Sequence, residues 1–141
     1  MSDKDASAKD DEQQPLILVV DDFEDNREMY AEYLRHVGYR VAEAIDGNDA
    51  IEKANSLSPD AVLMDLSLPG VDGWEVTRRL KKDERTKLIP IIAVSGHTMV
   101  QHEERAMACG CDAFVAKPSL PQEVAGQIRR ALGKSKSFKL P

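Results

Sequence analysis

Leu16-Ile17-Leu18-Val19-Val20 is an unbroken apolar run that ends abruptly in the acidic pair Asp21-Asp22. A strand with one wet face alternates apolar and polar residues. A run without alternation belongs to a strand covered on both faces, as in a parallel sheet flanked by helices. The same character recurs downstream. Ala61-Val62-Leu63-Met64 is continuous, Ile89 to Val94 holds three isoleucines around Pro90, and Ala113 to Ala116 is a short fifth run; Arg40 to Ala44 is weaker.

The segments between these runs carry helical spacing. Tyr30, Tyr33, Leu34 and Val37 form a stripe at steps of three and four that ends at Gly38. Ala50, Ile51, Ala54 and Leu57 form a second before Pro59, and Trp74, Val76, Thr77 and Leu80 a third after Gly73. Met99 to Ala108 is a weaker fourth. Val124, Ile128 and Leu132 define the fifth, with Ser119 as candidate cap, Gln122 three residues on and Pro121 in the first turn. Five strand–helix units in strict alternation predict an α/β fold, a doubly wound five-stranded parallel sheet with helices on both faces.

The chain has 141 residues, the length of one domain. Residues 1–14 are polar and acidic without periodicity and are expected to form a disordered leader. Residues 15–132 form the domain, and residues 133–141, with Lys134, Lys136 and Lys139 among serines, a flexible basic tail. No apolar run approaches the ~18 residues that span a bilayer, and the N-terminus lacks the apolar core of a signal peptide. Cys109 and Cys111 have the spacing of neither a disulfide framework nor a zinc site, and a cytoplasmic location is the expectation. The net charge of -6 argues against a general affinity for nucleic acid.

The chemistry lies where the strands stop. The first runs into Asp21-Asp22, the third into Asp65, the fourth into Ser95 and the fifth into Lys117-Pro118. In an open parallel sheet all carboxyl ends lie on one edge, and ligands bind in the crevice there. A single aspartate after a strand is ordinarily a helix cap. Three carboxylates, a hydroxyl and an ammonium gathered on one edge are harder to assign to capping. Clustered carboxylates repel and favour a hard cation between them; Mg²⁺ suits few carboxylates plus water and phosphate oxygens. An aspartate can attack phosphorus to give an acyl phosphate, a transfer that asks the protein mainly for positioning and charge neutralisation.

With these residues in this order, the chain resembles the receiver domain of two-component response regulators, over residues about 15 to 132. The motifs that carry the resemblance are Asp21-Asp22, Asp65 followed by Leu68-Pro69-Gly70 and Asp72-Gly73, Ser95-Gly96, and Lys117-Pro118. The resemblance implies a flavodoxin-like strand order 2-1-3-4-5. It implies Asp65 as phosphoacceptor, a metal ion (Mg²⁺ or Mn²⁺) held by Asp21, Asp22, Asp65 and the backbone carbonyl of Ser67, and Lys117 pairing with the phosphoryl group. Ser95 and Phe114 would be the switch residues, Ser67 and His97 the positions that tune phosphoryl lifetime, and the Lys117-Pro118 peptide would be cis. The implied partners are a histidine kinase or histidine phosphotransfer protein as donor and a downstream protein target. No nucleic acid or membrane partner is implied, and the chain would be a monomer or a phosphorylation-dependent dimer.

Two other functions compete. One is a metal-dependent phosphatase or phosphotransferase working through an aspartyl phosphate. The haloacid-dehalogenase-like enzymes, however, need an acid two residues after the nucleophile, where this chain has Ser67, and normally carry a cap domain for which there is no room. The other is a degenerate receiver kept as a binding scaffold, against which the intact set Asp21, Asp22, Asp65, Ser95 and Lys117 speaks. Met1 and the short polar ends lead to the expectation of a stand-alone receiver with no DNA-binding output domain.

Overall fold

Three of the five strands bury nearly everything they carry, as runs without polar alternation require. The computed structural model describes residues 14–68, 70–96, 100–117 and 119–135, the side chains of 100–103, 134 and 135 excepted. Its strands are β1 (Leu16–Val20), β2 (Arg40–Ala44), β3 (Ala61–Asp65), β4 (Ile91–Ser95) and β5 (Ala113–Ala116). The helices are α1 (Glu24–His36), α2 (Gly47–Leu57), α3 (Gly73–Lys82), α4 (Val100–Ala108) and α5 (Pro121–Ser135). All strand pairs are parallel and the order is β2-β1-β3-β4-β5. The doubly wound sheet is therefore as expected, including the reversal of direction between β1 and β3 that opens a crevice at their carboxyl ends.

The pleat sends alternate residues of each strand to opposite layers. Leu18, Val20, Val62, Met64, Ile91 and Ala93 pack under α2, α3 and α4 with Ala50, Ala54, Trp74, Val76, Leu80 and Ala106. Ile17, Val19, Leu63, Ile92, Val94 and Val115 pack under α1 and α5 with Tyr30, Leu34, Val124, Ile128 and Leu132. Each helix is bounded by local chemistry. The carboxylates of Asp46 and Asp72 accept from the N–H groups of Asp49 (2.8 Å) and Glu75 (2.9 Å), capping α2 and α3. Helices α1 and α4 both end in a left-handed glycine, Gly38 (φ 109°) and Gly110 (φ 105°). Beyond them Tyr39 N–H reaches Leu34 carbonyl and Cys111 N–H reaches Ala106 carbonyl, which closes each last turn.

Several boundaries differ from expectation. β4 begins at Ile91, two residues late. Pro90 offers no N–H to the ladder, and Ile89 N–H is used in a turn to Thr86 carbonyl. Val37 and Leu57 close the apolar stripes of α1 and α2 in sequence but are 46% and 45% exposed, because each helix has left the sheet by its last turn. The residue before α5 is Leu120, whose carbonyl accepts from Glu123 and Val124. The Ser119 hydroxyl lies 3.3 Å from the Tyr30 hydroxyl, so it ties α5's approach to α1. Helix α5 runs on through Ser135, so Gly133–Ser135 are helical and not part of a loose tail. An anchored helix extends readily, since each further residue adds a bond for the dihedrals it fixes. Gln14, assigned to the leader, is tied to the domain through its carbonyl, which accepts from Arg40 Nε at 2.9 Å. The rest of the leader (1–13) and residues 136–141 lie outside the described residues, as does Met99.

Candidate functional site: an acidic pocket at the carboxyl edge of the sheet

Asp21 leaves β1 and Asp65 ends β3, the two strands that part at the crevice. Their neighbours fix them from both sides. Asp21 N–H donates to Ala44 carbonyl on β2 (3.1 Å), Leu66 N–H to Val94 carbonyl on β4 (3.0 Å), and Lys117 N–H to Ser95 carbonyl (2.7 Å). Asp21 and Lys117 are thus one step past a ladder and Asp65 is the last residue of one, where the backbone is still rigid and the side chain can face the crevice.

Within the crevice, Asp21, Asp22 and Asp65 each present a carboxylate oxygen, and these oxygens lie within 4.8 Å of one another. Asp21 and Asp65 are buried, 3% and 5% exposed, while Asp22 is exposed at the mouth. Lys117 Nζ stands 3.7 Å from Asp21 Oδ2 and 3.7 Å from Asp65 Oδ2, between the two buried acids. One oxygen of each is already engaged. Asp21 Oδ1 accepts from Phe23 N–H (2.9 Å) and Asp65 Oδ1 from Ser67 N–H (3.0 Å), which leaves the Oδ2 atoms directed at the lysine. Burial, reinforced by the charge of Asp65, raises the Asp21 carboxyl from 3.8 to about 6, against the opposing pull of Phe23 N–H and Lys117. A buried acid with a raised pKa beside two others is a site short of positive charge. A divalent, oxygen-seeking cation fits that donor set, with Asp21, Asp22 and Asp65 as its carboxylates.

The remaining expected residues fall as follows. Ser95 is buried at the end of β4, beside Ala116 of β5 in register. Ser67 is exposed in the loop after β3. Phe114 is half-buried on β5 and packs toward the layer of α2, α3 and α4. His97 and Pro118, with the expected cis peptide, lie outside the described residues. Trp74 is buried (7% exposed), with the Arg105 guanidinium 4.5 Å from its ring centroid, a contact that joins α3 to α4. Both cysteines are free thiols; burial pushes that of Cys111 up to about 12.

Two features of the site were not read from the sequence. Gly73 stands against the end of β3: a Cβ there would sit 2.6 Å from Leu66 Cα and closer still to the Asp65 carbonyl. The signal was a glycine at the first position of a capped helix. The other is Arg27, largely buried on α1, whose Nη1 donates to the Asp21 carbonyl (3.0 Å) and whose Nε donates to Glu43 Oε1 on β2 (3.1 Å). Nothing local to Arg27 or Glu43 marks that pair in the sequence.

A five-stranded parallel sheet in this order, with an acid triad and a lysine at the switch of winding direction, defines a receiver-type signalling domain. Residues 17–129 match the model of the response regulator receiver domain, and the chain belongs to that family. Among curated proteins it is similar to the polar-differentiation response regulator DivK of Brucella ovis, 38% identical over 117 residues that cover 83% of this chain and 95% of the relative. Among solved structures it is similar to the receiver domain of the sensor histidine kinase PA1611 from Pseudomonas aeruginosa, which holds a magnesium ion in its active-site cleft. That match has TM-score 0.80 and 32% identity, and covers 86% of this chain and 99% of the other. The chemotaxis protein CheY4 of Vibrio cholerae matches with TM-score 0.79 and 26% identity, over 84% and 98% of the two chains.

Proposed function

We propose that Asp65 is the phosphoacceptor of a two-component or phosphorelay pathway, and that the chain is a signalling switch whose chemistry is confined to its own phosphorylation and dephosphorylation. The observation that carries this reading is the placement of Asp65 Oδ2 3.7 Å from Lys117 Nζ inside a triad of carboxylates with metal-ligand spacing. In the transfer, Asp65 Oδ2 attacks the phosphorus of a donor phosphohistidine. The new P–O bond forms as the P–N bond breaks, and the imidazole leaves with its electron pair. Asp65 Oδ1 stays fixed by Ser67 N–H, which holds the nucleophilic oxygen in one direction. Lys117 neutralises charge on the phosphoryl oxygens, and Ser95, buried on the adjacent strand end, supplies a hydroxyl to one of them. A Mg²⁺ or Mn²⁺ ion held by Asp21, Asp22, Asp65 and the Ser67 carbonyl supplies the remaining positive charge when bound.

The donor is a histidine kinase or histidine phosphotransfer protein, partners that place the chain in the cytoplasm. The output is a protein-binding face made by α4, β5 and α5. Phe114, half-buried, and a cleft of about 500 Å³ between β5 and α5 lined by Phe114, Ala116, Glu123, Gln127 and Arg130 support that choice, since both can repack at low cost. Ser67 and His97 tune phosphoryl lifetime. The domain proper is residues 15–132, with the end of α5 continuing it to Ser135.

The test is direct. The full chain is mixed with Mg²⁺ and a small acyl phosphate and weighed intact. A gain of one phosphoryl group is expected, lost in Asp65→Asn. No gain overturns the proposal and would leave a binding scaffold without phosphorylation; an equal gain in that variant overturns it by putting the phosphoryl group on another residue.

A further inference from the structure

A guanidinium withdrawn from water needs strong partners. The Arg27 side chain is 13% exposed; one of its bonds reaches the stretch of backbone that carries the acid pair, and the other reaches a carboxylate on the neighbouring strand β2. Nη1 donates to the Asp21 carbonyl and Nε to Glu43 Oε1. Glu43 is held in turn: Arg35 Nη2 approaches its Oε2 at 3.4 Å, and its carbonyl accepts from Lys53, which also pairs with Asp49 at 3.2 Å. The next residue of β2, Ala44, accepts the Asp21 N–H. β2 therefore grips Asp21 at both ends of its backbone, by the Ala44 carbonyl on one side and through Glu43 and Arg27 on the other. The Asp21 carbonyl belongs to the peptide plane that joins Asp21 to Asp22. Rotation of that plane moves Asp22 relative to Asp21, whose own carboxylate is fixed by Phe23 N–H.

We infer that Arg27, braced by Glu43, is a positioning residue that sets the angle between the Asp21 and Asp22 carboxylates and so the fit of the pocket for a divalent cation. The inference rests on the metal reading above and adds a residue to it. Its sign separates it from a charge effect. Arg27 brings a positive charge toward a cation site, so by charge alone its removal would tighten metal binding. A purely structural Arg27 would change unfolding and leave metal affinity alone. Only a role in geometry makes its removal weaken binding.

The experiment is Mg²⁺ titration of the full chain by calorimetry, with rates of phosphorylation from a small acyl phosphate measured alongside. In Arg27→Gln the dissociation constant for Mg²⁺ is expected to rise about tenfold, in line with the loss of an outer partner that orients a metal ligand. The rate at saturating Mg²⁺ is expected to recover to within a few-fold of the unaltered protein. Arg27→Lys should fall between the two, because one ammonium keeps the charge but cannot fork to both partners. Glu43→Gln should move affinity in the same direction and serves, with Arg27→Lys, if Arg27→Gln does not fold. Unchanged or tighter Mg²⁺ binding in a folded Arg27 variant overturns the inference. Failure of the unaltered protein to bind Mg²⁺ overturns the metal reading itself, a different result from an Arg27 variant that binds as well as the parent.

Discussion

Replacing Asp21 by Asn is expected to stabilise the metal-free protein, although it damages the site. The Asp21 carboxyl is raised from 3.8 to about 6, first by burial and then by the charge of Asp65. A carboxyl that is harder to ionise in the folded state than in the unfolded one supports folding while both states hold the proton. That contribution is fully present below about pH 4 and is lost as the pH rises through about 6. Carried to neutral pH, the displacement corresponds to about 3 kcal/mol held against the fold. An asparagine keeps an oxygen to accept from Phe23 N–H but turns its NH₂ toward Lys117, where Oδ2 had faced the ammonium at 3.7 Å. Setting an amide NH₂ against that ammonium, donor to donor, trims the expected net gain to roughly 1–2 kcal/mol.

The assay is urea unfolding of the parent and Asp21→Asn in a chelating buffer, at about pH 7.5 and again at about pH 4. The variant should unfold at higher urea at the upper pH with an unaltered slope, and the two curves should converge at the lower pH. With Mg²⁺ added the ranking should narrow or reverse, because only the parent gains fully from binding. A destabilised variant at the upper pH, or a gain that is the same at both, would refute the reasoning.

Two further outcomes follow from the same geometry. Lys117→Gln should lower the rate of phosphorylation about 10²-fold or more at saturating Mg²⁺ while metal affinity holds or improves, since a cation is removed from beside the carboxylates; a rate within a few-fold of the parent in single-turnover measurements would deny the lysine its role. Gly73→Ala should cost about 2–3 kcal/mol in thermal or urea unfolding and slow phosphorylation as well, because the new methyl meets the backbone of Asp65 and Leu66 and neither can step aside; a stability equal to the parent's would show that β3 yields there.

What could be read in advance follows physical lines. β1, β3 and β4 announce themselves because a strand covered on both faces must be apolar throughout, and their ends bring Asp21, Asp65 and Ser95 to one edge. The helix stripes of α3 and α5 are equally plain: Val76, Leu80, Val124, Ile128 and Leu132 are all buried. Val37 and Leu57 misled because spacing along a helix says nothing of where the helix leaves the sheet. β2 was faint for a related reason. It is an edge strand, four of its five residues are partly or wholly exposed, and its one acid looked like surface. That acid, Glu43, is sixteen residues from the arginine it holds, and nothing local to either position marks the pair. A contact between a helix and an edge strand is a tertiary fact, and so is the closeness of Gly73 to the end of β3.

The edge strand also explains why the pocket is arranged as it is. Asp21, Asp22, Asp65 and Lys117 together carry two net negative charges in a crevice where two of the acids are nearly dry. Left to relax, such acids separate or turn toward water, because repulsion in a poorly screened site is strong. Here they cannot. Asp65 is fixed by Ser67 N–H and by the ladder to β4, and Asp21 by Phe23 N–H and the ladder to β2. Stability is held in reserve at this site, and it is recovered when positive charge arrives. A domain that must respond to a cation and a phosphoryl group gains from acids that are held together before either binds, since binding then requires no rearrangement of the backbone. The measurable counterpart is the metal-dependent shift predicted for Asp21→Asn: the same carboxylate should weaken the fold without metal, and weaken it less or strengthen it with metal. A protein in which Asp21 had the same effect on stability under both conditions would be using it as a cap, whatever its neighbours.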